Sequence, residues 1–150
     1  MTWRHAVQPF DHDYAESLLL RVGRIPADAK PAWGTLTRDG LVAHLADALR
    51  YAMRRSPALP FSGNWFSTHI IGPLIINGIA PMPKNVKGIR LPSAPCDIEG
   101  LHALLDEYLH RVQSGDLNPP LHPFFGDIGV DKWAKLHVVH FEHHLRQFGV

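Results

Sequence analysis

Four histidines, His137, His140, His143 and His144, fall within eight positions of a chain that holds 11 in all. Even spacing would place one about every 14 residues, so this is a local concentration and the natural place to look for chemistry. A neutral imidazole offers a nitrogen lone pair near neutral pH, which suits it to metal ligation and to proton transfer. At about 100° per residue on a helix, His140 and His144 differ by about 40° and stand one turn apart, so both can bite one ion. Trp133, Leu136 and Gln147 share their face. Lys135, Glu142 and Arg146 form a charged stripe opposite, expected to face water and turn the histidines inward.

Upstream, His44 lies among Leu41, Ala48 and Tyr51 and opposite Asp39, Arg50 and Arg54, so it too should point into the molecule. A third imidazole added to an i,i+4 pair gives the three-histidine set that divalent metals accept, with at least one position left open. Asp47 and Gln147, each one turn from a ligand, are candidate catalytic groups that would orient ligands or a bound nucleophile. His122, in a loop before the last helix, is a third candidate at the mouth of the site. His137 and His143, about 60° to either side of His140, read as flanking groups. His102 and His110 sit at the edge of or off an apolar stripe, and His5, His12 and His69 read as surface or packing residues. A histidine-rich core without metal is the plain alternative, and inward imidazoles would then need hydrogen-bond partners.

Competing site motifs fail on spacing. His140-Phe141-Glu142-His143-His144 has no Glu directly after the first histidine of an i,i+4 pair, as the zinc-protease pattern requires. A di-iron carboxylate bundle needs two Glu-x-x-His repeats and two more inward glutamates, and only Glu107-Tyr108-Leu109-His110 fits. Cys96, the single cysteine, lies in a Pro-rich connection without a visible base.

The elements that must carry these residues are helical. A first helix is expected from about Asp13 to Gly23, with Leu18, Leu19 and Val22 inward, and a loop over Ala27 to Thr35. Thr37 caps a second helix to about Arg55, stopped by Ser56-Pro57. From Pro57 to Pro95 seven prolines interrupt the chain; a shorter helix over about Trp65 to Ile79 must bend or split at Pro73. Asp97 caps the next long helix, in which Ile98, Leu101, Leu105, Tyr108 and Val112 form an amphipathic stripe closed by Gly115. A Pro/Gly-rich loop, Leu117 to Gly129, precedes a last helix from about Val130 to Phe148. No stretch alternates with period two. The expectation is one all-α domain over residues 1–150: four main helices, with a long Pro-rich crossover between the second and third.

Composition narrows the function classes. With 15 basic and 14 acidic residues and 45% apolar content, the chain lacks the electrostatic footprint of a nucleic-acid or anionic-membrane binder. One cysteine excludes an internal disulfide framework, and no apolar run has the length of a bilayer span. A cytoplasmic protein acting on a small molecule, with no nucleic-acid or membrane partner, is expected.

His44 within Leu41-Val42-Ala43-His44-Leu45-Ala46-Asp47, followed by His140-Phe141-Glu142-His143-His144-Leu145-Arg146-Gln147, resembles the DinB-like superfamily of metal-binding four-helix bundles. Trp33-Gly34-Thr35-Leu36-Thr37, His122-Pro123-Phe124-Phe125-Gly126 and His143 to Gly149 look like its branch described only as a domain of unknown function. The resemblance implies an up-down-down-up bundle, a divalent metal on His44, His140 and His144, and a homodimer. Its characterised members include metal-dependent thiol S-transferases and a thiol-dependent maleylpyruvate isomerase. The chain departs from the commoner ending, with Leu145-Arg146-Gln147 where many members carry Arg-Gly-Gln, so substrate groups do not transfer. The function expected is a metal-dependent transferase or hydrolase that activates a low-molecular-weight thiol or water for attack on a small electrophile. Zinc or nickel comes first as the metal and iron or manganese next; the alternative is a non-catalytic, stress-associated metal-binding bundle.

Overall fold

Each long helix starts where a side chain can take up an orphan backbone N–H. In the computed structural model, which describes residues 7–84 and 94–150, Asp11 accepts from the Tyr14 amide at the head of α1 (His12–Gly23). Thr37 does the same for Gly40 at α2 (Arg38–Ala52), and Asp97 for Gly100 at α4 (Ile98–Ser114). Such caps contribute about 1 kcal/mol each. α4 ends at Gly115, whose φ of 76° is left-handed and free of cost only for glycine. α5 (Gly129–Gln147) begins at Gly129, another left-handed position, and has no side-chain cap. His5 and Pro92 lie outside the described residues.

The segment expected as a shorter helix over Trp65 to Ile79, bent or split at Pro73, is a π turn, Ser67–Ile71, running into a five-residue helix α3 (Gly72–Ile76). Pro73 is the reason. It has no N–H to return to the preceding turn, and its ring would crowd the carbonyl four residues back, so the turn widens and the Gly72 amide reaches Ser67 O instead. Five α-helices and no strand form among the described residues; His122 and Gly126 pair as an isolated bridge.

α2 packs on α4 and α5, α1 on α4, and α3 on α5. The core between them is made by the stripes that the helical period marks: Leu18 and Val22 of α1, Leu41, Leu45 and Leu49 of α2, Leu101, Leu105 and Tyr108 of α4, Phe141 and Leu145 of α5. Truncating one of these leucines to alanine costs about 2–5 kcal/mol, because so dense an interior does not close around the hole.

One expectation is corrected. Glu142 does not face open water. Its carboxylate takes the Arg21 guanidinium at 2.8 Å on both oxygens and accepts from the Tyr14 hydroxyl at 3.1 Å, tying α5 to α1. Lys135 and Arg146 on the same side of α5 are exposed, as the helical wheel has them, but Tyr14 and Arg21 of α1 reach Glu142, and only the packed structure shows it.

Candidate metal centre

The loop between α1 and α2 is laid across the end of α5. The Ala32 amide donates to Gln147 O at 2.7 Å, and the Gln147 side-chain amide donates to Trp33 O at 2.8 Å. That second bond fixes which way the Gln147 amide points. Its Oε1 is left facing His144 Nδ1 at 2.8 Å, so Nδ1 is the protonated nitrogen of that ring and Nε2 carries the lone pair.

His144 Nε2 lies 3.0 Å from His140 Nε2, which lies 2.8 Å from His44 Nε2. One ligand atom from each ring thus falls within 4.8 Å of the other two. Three rings from two helices converge edge to face, with centroids 4.5 to 4.8 Å apart. All three residues are half-buried rather than sealed. A single proton on His140 Nε2 can serve one of its two neighbours and leaves the other lone pair facing it. A cation at the centre would satisfy all three, so the donor set fits a divalent metal.

The electrostatics keep the rings ready for this. Burial, then the neighbouring His144 and His143, lowers the pKa of His44 to about 4. Burial followed by the same crowding of imidazoles holds His140 well below the usual range, and burial lowers His144 against the opposing bond from Gln147. All three are neutral at pH 7. Among the described residues no carboxylate acts on any of them, so a bound divalent ion would keep its charge.

Of the groups expected to assist, Gln147 contacts a ligand, while Asp47 and His122 are engaged elsewhere. The buried Asp47 carboxylate pairs with Arg50 at 3.0 Å. One turn from His44 is not enough to bring it to the imidazole, because a closer cation on its own helix holds it. His122 Nδ1 accepts from the amides of Phe124 and Phe125 at 3.1 Å each, and its ring stacks on Phe125. It is a keystone of the loop in which it lies. His143 is buried beside Trp33, over whose ring Lys84 Nζ stands at 4.3 Å. His137 is fully buried among Phe10, Tyr108, Trp133 and Phe141. Trp33 and Lys84 were missed as neighbours of the site, since no periodicity links a loop residue to a helix end.

A surface groove of about 320 Å³ between the starts of α2 and α4, lined in part by Arg38, Asp39, Cys96 and Glu99, contains none of the three histidines. Cys96 there has its thiol pushed up in pKa, chiefly by burial, which is the reverse of activation for nucleophilic attack.

A family model described as a protein of unknown function (DUF1569) matches residues 79–149. The match takes in α4, α5, His122, His140 and His144, and stops short of α2 and His44. No curated protein and no solved structure matches the chain.

Proposed function

We propose that His44, His140 and His144 hold a divalent metal, zinc or nickel before iron or manganese, in a small metal-dependent enzyme. The reaction would be attack of a low-molecular-weight thiol or water on a small electrophile, as a transferase or hydrolase. This reading takes the four long helices as the up-down-down-up bundle of the DinB-like resemblance. The observation that carries it is the convergence of the Nε2 atoms of three neutral imidazoles at part-buried positions, with no carboxylate of the described residues to quench the charge of an ion. Such an ion would supply acidity, since three neutral imidazoles on zinc can bring bound water to a pKa of about 7. The chain's own contribution is to hold the lone pairs aimed. Gln147 fixes the tautomer of His144, and Trp33 O fixes Gln147.

Elemental analysis of protein purified without a histidine tag tests the first half. About one zinc or nickel per chain, lost in His140→Ala, supports the centre, and absence of stoichiometric metal overturns it. The second half is tested by assaying the loaded protein with a panel of thiols and electrophiles and with simple amides and esters. Turnover lost on chelation supports the enzyme; metal without turnover replaces it with the non-catalytic metal-binding bundle.

A further inference from the structure

Between Asp47 and Asp97 the chain carries six basic residues and no Asp or Glu. One of the six, Lys84, comes back to the candidate metal centre. Its Nζ stands 4.3 Å from the centre of the Trp33 ring. That ring packs on His143 at 5.4 Å, and His143 packs on the ligand His144 at 5.2 Å. The Trp33 carbonyl meanwhile accepts from Gln147, whose side chain holds His144 Nδ1. Trp33 is thus joined to the ligand twice, through its ring and through its backbone, and it carries Lys84 with it.

Nothing negative answers this cation. All 14 acidic residues of the chain lie among the described residues, and none of them pairs with the exposed Lys84. The acids nearest the ligands along α2 and α5 are already taken, Asp47 by Arg50 at 3.0 Å and Glu142 by Arg21 at 2.8 Å. The charges that act on His44, His140, His143 and His144 come from one another and from His137, Arg146 and Lys84, with no carboxylate among them. Arg146 leaves α5 about 160° away from His144, where it lines a groove with Glu142. Lys84 is therefore the cation that contacts tie to the ligands. A divalent ion with its charge uncancelled, and an ammonium held over an aromatic ring beside it, make a site of one sign, and such a site concentrates ligands of the opposite sign.

We infer that Lys84, held on Trp33, selects the ligand of the metal centre: a small molecule whose near end sits on the ion and whose far end carries an anionic group, carboxylate or phosphate. The inference rests on the metal-centre reading and adds to it a substrate class and the residue that recognises it. Each contact in the path from Lys84 to His144 is 5.4 Å or shorter, so one small molecule can span from the ion to the ammonium.

Titration of the nickel-loaded full chain with mercaptoalkanoates of increasing chain length, and with mercaptoalkylphosphonates and mercaptoalkanols of the same lengths, tests it. Binding is read from the thiolate-to-nickel absorption, and metal content by elemental analysis. The expected result is a wild-type preference for the anionic thiols over the alcohol of about 3- to 5-fold, the size of an exposed ion pair. It should shrink as salt is raised from about 0.01 to 1 M. Lys84→Met should remove the preference, Lys84→Arg restore it and Lys84→Glu turn it toward the alcohol, all three with metal content unchanged. Whichever anion loses more affinity in Lys84→Met, carboxylate or phosphonate, is the group the site takes. A metal-loaded wild type that binds anionic thiol and alcohol equally at every length overturns the inference and leaves the metal centre standing, and so does a preference that survives Lys84→Met. A wild type that takes up no metal removes the centre, and this inference with it.

Discussion

His140 and His137 sit one turn apart on α5, and their surroundings differ in one decisive respect. His140 meets two other imidazole nitrogens, from α2 and from the next turn, at hydrogen-bond distance and at a part-buried position. His137 is sealed among aromatic rings, with its Nε2 buried and unpartnered. Burial lowers both pKa values, His137 to about 3. A depressed pKa alone therefore does not separate a metal ligand from a core residue; convergence of donor atoms does.

The largest effect should come from removing a converging nitrogen. His140→Ala is expected to lower metal affinity by more than the 10- to 100-fold cost of losing an outer partner, measured by chelator competition. His137→Phe should leave affinity unchanged; a comparable loss would erase the distinction between the two histidines. Next, Gln147→Leu removes the acceptor that sets the His144 tautomer and should weaken metal binding by about 10- to 100-fold. Gln147→Glu, which keeps an acceptor at that position, should recover part of it.

Smaller effects belong to the second group. His122→Ala leaves the Phe124 and Phe125 amides without their acceptor and should cost about 1–2 kcal/mol in urea denaturation, with metal content intact. The acid response follows from the same groups. His122 and His137 have folded pKa values of about 4 and about 3, below the unfolded value of about 6.5. Between those limits the unfolded chain binds more protons, so stability falls as pH drops from about 6.5 toward 3. His137→Phe should flatten that slope in unfolding curves taken at pH 7 and pH 5. Asp47→Asn keeps the side chain's shape and an acceptor oxygen beside Arg50 and should leave metal content unchanged by elemental analysis. A large loss of metal in that variant would mean that Asp47 acts on the centre after all.

Much of the scaffold is legible in the chain because its signals are local. Asp97, the stripe from Ile98 to Val112, and Gly115 are cap, face and stop within one helix, and α4 runs between them as they predict. The pair His140 and His144 follows from the helical period alone. The π turn before Pro73 is less legible, because proline announces a break without saying how the chain absorbs it.

By itself the sequence determined that the chain is helical, that His44, His140 and His144 lie on faces expected to turn inward, and that a long, proline-broken connection joins the second and third main helices. Each of these is a statement about residues within a few positions of one another. Only the tertiary structure decided that the three Nε2 atoms meet, that Gln147 and not Asp47 reaches a ligand, and that Glu142 is claimed by Arg21. These depend on which element covers which face, and helical periodicity gives a face its direction but not its neighbour.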